Sequence, residues 1–492
     1  MKTRQELTDF WRREIKPRLS EQDLLFPVTK RDGTTVSYVN LDNAATTTPF
    51  EGVKRKIDEE LTTYGSVHRG AGTKSKISTD LYEETRETVK RFVSARSSDY
   101  VIFSTNTTTA MNQLAYFFSF IRGKVIVSES EHSSSFLPWV KHEGLHQTRD
   151  QIGLEDLITG NTILLNSALI KRGHYNVLMY RTAEDFSFDL NNIEQILKEQ
   201  STKSSQEKIK CVVATGASNV TGYKPPLKEI AAISHKYGAL FVVDACQLVQ
   251  HGKLDIQSDG IDFAAFSGHK MYAPYGIGVL VGRKELFDAF LPYQIGGGNL
   301  SYITSNGEII MHPNNATHDP GSPNFVGARA IHHSIRELEA IGIEKINAYE
   351  HSLVEPAIEQ LREIERVKLY LPKEPSTILT FEIGGMPSKL VAEILSAEYG
   401  IGTRAGSFCT YELLRKIKQI GPEEDVRIAQ LVQAGEVSVI PTLIRASFSM
   451  VNNPDDVARF TLAVKEIAGN GMQPYLSRYT MNGKTGEWKS NI

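Results

Sequence analysis

At 492 residues, with 40% apolar and 23% charged residues, the chain has the composition of a folded globular protein and enough length for two domains. A net charge of -3, a pI near 6.5 and the lack of any long run of one sign exclude a general field for nucleic acid or an anionic membrane surface. The N-terminus has no apolar signal segment and no stretch offers about 18 uninterrupted apolar residues, so a cytoplasmic protein with no membrane partner is expected.

The chain opens on a short amphipathic helix, with Leu7, Phe10, Trp11 and Ile15 at helical spacing, followed by an irregular approach to LDNAATTTPF. EGVKRKIDEELTTYG and KISTDLYEETRETVKRFVSAR predict two further helices. From Tyr100 the pattern changes to short apolar runs rich in Val, Ile and Phe: YVIFS, KVIVSES, KCVVATG, ALFVVDA and IDFAAFSG. Such runs, separated by helical segments like PLKEIAAISHKYG, suit strands buried on both faces. The expected fold class is therefore α/β, a mostly parallel, doubly wound sheet spanning residues 40–312.

After GGGNL the alternation weakens. Helical patterns NFVGARAIHHSIRELEAIG, EKINAYEHSLVEPAIEQLREIE and PSKLVAEILSAEYG follow, with one strand pattern, TILTFEIGG, among them. A smaller α+β domain is expected from residues 313–470 together with 1–39, and residues 471–492 read as a polar surface tail. The three cysteines, Cys211, Cys246 and Cys409, are too few and too scattered for a disulfide framework or a zinc cluster, which suits a reducing compartment and a site without metal. Cys211 and Cys246 fall in or beside buried strands and read as small core hydrophobes.

In open α/β sheets ligands bind beyond the carboxyl ends of the strands. Collected there are TNTTTAMN, EHSSSF, SNVTG, DACQ and SGHK: hydroxyls, a histidine, an amide, a carboxylate and a lysine at one edge. Thr107 and Thr108 stand where a loop enters a helix, where backbone N–H groups and hydroxyls serve either as a cap or as an anion cradle. Ser267 and His269 add donors to the same anion. Asp244 ends an apolar strand, either capping a helix or keeping a heterocyclic nitrogen protonated. Lys270 is costly at a buried strand end unless its amine is used, and an imine-forming lysine that binds a carbonyl cofactor and then moves protons meets that condition.

With these residues in view, the chain resembles the class V, fold type I pyridoxal-phosphate enzymes, and within them the cysteine desulfurases and selenocysteine lyases. The likeness runs through LDNAATTTP, FSTNTTTAMN, EHSSSFLPW, ASNVTG, VVDACQ, SGHKMYAPYGIGVL, DPGSPNFVG, GTRAGSFC and IRASFSMVNN in the family's order. It implies pyridoxal 5'-phosphate held as a Schiff base on Lys270, with Asp244 on the ring nitrogen and Gln247 on the phenolic oxygen. It further implies His132 stacked on the ring, Asn219 against ring or substrate, and Thr107, Thr108, Ser267 and His269 on the phosphate. Arg404 and Arg445 would take the substrate carboxylate, for which a planar fork is suited. Cys409, five residues after Arg404, would be the nucleophile that receives sulfur from cysteine as a persulfide and passes it to a sulfur-acceptor protein. Ser322, in DPGSPN, would reach the neighbouring subunit's cofactor phosphate in a homodimer.

Four departures bear on that reading: no proline follows Cys409 closely, an extra helix is expected between Cys409 and Arg445, the stretch from His132 to Asn219 is extended, and Ser322 stands where the family usually has threonine, with the hydroxyl retained. The competing readings are a class V aminotransferase or carbon-sulfur lyase acting on another amino acid, and a non-catalytic binding or scaffold protein.

Overall fold

The computed structural model describes residues 2–144 and 176–491. The extended HEGLHQTRDQIGLEDLITGNTILLNSALIKRG stretch lies mostly outside the described residues.

A seven-stranded sheet is formed by β1 (Tyr100–Ser104), β2 (Lys124–Ser128), β3 (Val177–Tyr180), β4 (Ile209–Thr215), β5 (Leu240–Asp244), β6 (Phe263–Ser267) and β7 (Gly278–Gly282), in the order β1-β7-β6-β5-β4-β2-β3. β2, β3, β4, β5 and β6 pair in parallel, and β7 runs antiparallel to both β6 and β1. Every strand but β7 therefore points the same way, and the carboxyl ends of β1, β2, β4, β5 and β6 meet at one edge. Every residue of β4 is buried, as a strand covered on both faces requires. The α/β class and the five expected strands are present, and the GIGVL run that follows SGHK supplies β7. β3 adds one strand that the sequence did not announce, because VLMY is only four residues long and lacks alternation.

Helix α1 (Arg4–Phe10) begins with a capping box in which Thr3 and Glu6 satisfy each other's amides. Its apolar stripe continues through a π-helical turn, Trp11–Ile15, and ends near Pro17. Phe10 lies 5.1 Å from Tyr349, and the Trp11 indole donates to the Val451 carbonyl at 3.0 Å. The N-terminus thus packs against the C-terminal part of the chain.

There, β8 (Val367–Leu369), β9 (Ile378–Ile383), β10 (Arg404–Gly406) and β11 (Leu443–Ser447) form an antiparallel sheet in the order β8-β9-β11-β10. Val39–Asn40 pairs with Ile401–Gly402, and Asp42 bridges to Ser447. LDNAATTTP is thereby laid between the two sheets. The helix expected between Cys409 and Arg445 is present as Pro422–Gln433, which buries none of its residues.

The last residues are not the surface tail that their polar composition predicts. Tyr479–Met481 and Trp488–Ser490 form a hairpin, Tyr475 and Tyr479 are buried, and Lys389 donates to Thr485 O and Glu487 Oε1, both at 2.7 Å. Strands of three residues carry too little alternation to be read, and their apolar cover comes from the distant helix Ser388–Tyr399. No described helix is long and apolar enough to cross a membrane.

Candidate active site

The carboxyl edge of the large sheet and the facing ends of β10 and β11 enclose a cavity of about 230 Å3. Thr107, Thr108, His132, Asn219, Asp244, Gln247, Ser267, His269, Lys270, Arg404, Cys409 and Arg445 all line it. Ser322 does not: it is exposed and lines a separate cavity with Tyr293 and Asn324.

Lys270 sits in a single 3-10 turn, Gly268–Lys270, directly after β6. A Cβ on Gly268 would lie 2.6 Å from Ile277 Cγ2 and 2.8 Å from the Ala273 carbonyl, so only glycine fits the turn. The LDNAATTTP segment holds the turn from the other side. Thr47 N and Thr46 Oγ1 each donate to the His269 carbonyl at 3.0 Å, and the Tyr272 amide donates to Thr47 Oγ1 at 2.8 Å. Burial and the neighbouring Lys270 charge push His269 down to about 4, leaving the ring neutral near pH 7.

At the other end of the cavity, helix Thr107–Phe118 begins against β7. A Cβ on Gly278 would lie 2.4 Å from the Asn106 carbonyl carbon, so glycine allows this helix to start flush with the sheet. Ser267 Oγ accepts the Thr107 amide and sits 2.7 Å from Thr107 Oγ1, while Thr108 Oγ1 donates to Ser134 Oγ at 2.8 Å. These hydroxyls and the helix terminus make an anion cradle. Cys246 belongs here too, which corrects its reading as core filler: it is buried, but its Sγ lines the cavity 2.8 Å from Thr107 Oγ1. Burial at a strand end looks the same in sequence whether the side chain faces a core or a cavity.

Asp244 is 5% exposed. Burial pushes its carboxyl up, and the Lys270 charge and the Cys246 amide pull it back. Gln247 donates to the Ala44 carbonyl at 2.6 Å and accepts from Gln250. His132 accepts the Ser134 amide at Nδ1 (3.0 Å), so the neutral ring carries its proton on Nε2. Burial, then Lys270, Arg445 and Arg404, push it down to about 4. Glu131, buried behind it, accepts the Thr215 amide, and burial together with Asp244 raises it to about 8.

Arg404 and Arg445 face each other directly across β10 and β11. Asp42 lies between them, its Oδ1 2.8 Å from Arg445 Nη2 and its Oδ2 3.9 Å from Arg404 Nη1. Arg445 is buried, donates to the Asn219 carbonyl at 3.0 Å and leaves Nε without a hydrogen-bond partner. Asp42, Thr46 and Thr47 are site residues that sequence reasoning passed over individually. Asp42 and its partner Arg445 are 403 residues apart, so no local spacing points to the pair.

Cys409 is partly exposed. It and Phe408 both have left-handed backbones, φ 57° and 54°, a conformation costing non-glycine residues about 1 kcal/mol each. Asn219 Nδ2 donates to the Phe408 carbonyl at 2.8 Å, and Thr410 Oγ1 donates to Asn219 Oδ1 at 3.1 Å. The Asn219 side chain is thus engaged with the cysteine turn.

The residues fit the cofactor that the resemblance implies. A buried carboxylate suits a protonated ring nitrogen, the helix terminus with its hydroxyls suits a phosphate, and an amine stands in the same cavity. Among the described residues no group of His, Cys, Asp and Glu is arranged to hold a metal ion.

Comparison with known proteins agrees with this geometry. The family model for class V aminotransferases matches residues 39–150 and 161–460. A probable cysteine desulfurase of Halalkalibacterium halodurans is 33% identical over 80% of this chain and 88% of its own length. A cysteine desulfurase of Serratia proteamaculans is 28% identical over 90% of this chain and 96% of its own length. The apo structure of a cysteine desulfurase from Thermococcus onnurineus NA1 superposes with a TM-score of 0.71 at 28% identity, covering 88% of this chain and 95% of that one.

Proposed function

The chain belongs to the class V aminotransferase family, and from that premise we propose that it is a pyridoxal-phosphate cysteine desulfurase that takes the sulfur of L-cysteine onto Cys409 and releases alanine. Pyridoxal phosphate, when bound, supplies a carbonyl that condenses with amines and a protonated ring that withdraws electrons from the substrate α-carbon. Thr107, Thr108, Ser267 and His269 would hold its phosphate, Asp244 its ring nitrogen, Gln247 its phenolic oxygen, and His132 and Asn219 would flank it.

Lys270 Nζ has two tasks. It would hold the cofactor's carbonyl carbon, and its free amine would take the substrate α-proton as a general base. Arg445, which lines the cavity, binds the substrate carboxylate, with Arg404 closing from the exposed side. Cys409 attacks the substrate sulfur as a thiolate: the S–S bond forms, the C–S bond breaks, and the carbon keeps that bond's electron pair and is protonated to give alanine. The substrate carbon is itself the electron acceptor, so no external oxidant is consumed. The persulfide is then discharged by a thiol, of a sulfur-acceptor protein in the cell or of a reductant in the assay. A homodimer in which Ser322 faces the partner subunit, in a reducing cytoplasm, completes the proposal.

The observation that carries it is the shared cavity: Cys409 faces the same space as Lys270, Asp244 and Arg445. Purified protein given cysteine and dithiothreitol should release sulfide and alanine in equal amounts, and Cys409→Ser should cut that release at least about a hundredfold. Unchanged release from Cys409→Ser defeats the nucleophile assignment. A keto acid formed without sulfide makes the protein an aminotransferase instead.

A further inference from the structure

We infer that Ser133 is a positioning residue for Cys409, pinning the carbonyl of the proposed nucleophile and so fixing how far its thiol reaches into the cavity. The inference rests on the desulfurase reading for its catalytic meaning, but the contact itself stands apart from that reading. Ser133 N and Ser133 Oγ both donate to the Cys409 carbonyl, at 2.7 and 2.8 Å. The two partners are 276 residues apart in the chain, so the contact is a tertiary one.

What is pinned is a strained turn. Phe408 and Cys409 are consecutive left-handed residues, and each of their carbonyls is held by a different element: Phe408 O by Asn219, Cys409 O by Ser133. Two donors on one carbonyl use both of its lone pairs, so the turn cannot rotate about the Cys409 peptide without losing both bonds. Ser133 also opens the helix Ser133–Gly144 and directly follows His132, whose ring is fixed by the Ser134 amide. One short segment, His132 to Ser134, thereby sets the imidazole and the thiol relative to each other. The hydroxyl has a task separable from folding, because the backbone amide of any residue at this position can still supply one of the two bonds.

The test uses the holoenzyme of wild type, Ser133→Ala and Ser133→Thr. The first readout is the rate at which iodoacetamide alkylates Cys409, followed by peptide mass spectrometry with the buried Cys211 and Cys246 as internal controls. The second is kcat and KM for sulfide release. With one hydrogen bond removed, Ser133→Ala should alkylate about fivefold faster at Cys409 and show kcat about fivefold to tenfold lower, with KM and cofactor absorbance unchanged. Ser133→Thr, which keeps a hydroxyl, should restore both toward wild type. Unchanged alkylation and kcat in Ser133→Ala overturn the inference, and so does labelling of Cys211 and Cys246 that rises with Cys409, since that marks general loosening. If Cys409→Ser leaves sulfide release intact, the desulfurase reading fails, and the alkylation rates still decide whether Ser133 holds the turn.

Discussion

The turn that carries Lys270 and the turn that carries Cys409 face one cavity but are held in different ways. Around Lys270 the turn is closed by its own backbone and packed from behind, with Thr46 and Thr47 bracing it from the other side: the Gly268 amide donates to Ile277 O at 2.9 Å, the Ala273 amide returns to Gly268 O, and Tyr272, itself left-handed at φ 62°, stacks on Phe50 with ring centroids 4.6 Å apart. Around Cys409 the turn is partly exposed, and its two strained residues are held by the amide and hydroxyl of Ser133 and by the side chain of Asn219. The cofactor end is built like a core, where packing over-determines the conformation. The nucleophile end is a polar latch, where each single bond contributes a visible share.

The largest expected effect breaks the chemistry of the first turn without touching the second. Lys270→Ala should abolish the visible absorbance of bound cofactor and lower sulfide release by about a thousandfold or more. The iodoacetamide reactivity of Cys409, measured on the cofactor-free forms of both proteins, should stay within about twofold of wild type, since no backbone contact of the cysteine turn involves Lys270. A large change there would mean that the two turns are coupled.

Glu131 lies between the two ends, one residue before His132 and bonded to the amide of Thr215, which pairs with Asp244 across β4 and β5. Its carboxyl is raised to about 8 against an ordinary 4.5, so the folded protein keeps a proton that the unfolded chain releases. The stabilising contribution of that proton is fully present below about pH 4.5 and is lost as the pH rises toward 8. His132 and His269, both near 4 in the fold, act on the opposite limb: their neutral forms favour the fold above pH 6.5, and that contribution is lost as the pH falls toward 4. In urea titrations of the apoprotein, Glu131→Gln should therefore match wild type near pH 4.5 and exceed it at pH 8 by roughly 4 kcal/mol. Equal stability at pH 8 would mean that the carboxyl is ionised in the fold at no cost.

A smaller change sharpens the packing side of the comparison. In Gly268→Ala the added methyl meets the Ala273 carbonyl and Ile277 Cγ2, and stability should fall by roughly 2 kcal/mol, read as a lower urea midpoint at unchanged m-value. Gly268 was legible in the sequence only as part of SGHK; that its hydrogen has no room to become a methyl is a fact of β7 lying alongside. The same division holds elsewhere. Lys270 and Asp244 could be read because each ends a strand of distinctive apolar pattern, and an edge rule places strand ends together. The helix inserted after Cys409 could be read from the extra length of the stretch before Arg445. Asp42 and Ser133 could not, because their meaning lies in Arg445 and in the Cys409 carbonyl, hundreds of residues away. The C-terminal hairpin was missed for the same reason, since the helix that covers it lies about a hundred residues upstream and nothing in its own pattern announces that contact.

The smallest effect tests whether the latch at Cys409 is graded. Thr410 Oγ1 donates to Asn219 Oδ1 at 3.1 Å and makes a longer contact, 3.3 Å, with the Phe408 carbonyl that Asn219 Nδ2 holds at 2.8 Å. Thr410→Val keeps the shape and removes the donor, so Asn219 loses one of its anchors and the Phe408 carbonyl its longer contact, while the 2.8 Å bond from Asn219 to the turn stays in place. A neutral hydrogen bond of this kind contributes about 1 kcal/mol, and only part of that loss is transmitted to the strained residues. The expected result is a twofold to threefold rise in Cys409 alkylation and a fall in kcat of similar size, smaller than for Ser133→Ala, which removes a 2.8 Å bond from the turn rather than a 3.3 Å contact. If Thr410→Val equals or exceeds Ser133→Ala in both readouts, Asn219 rather than Ser133 is the main restraint on the nucleophile. If the two changes combine additively, the two carbonyl anchors act independently on one flexible turn.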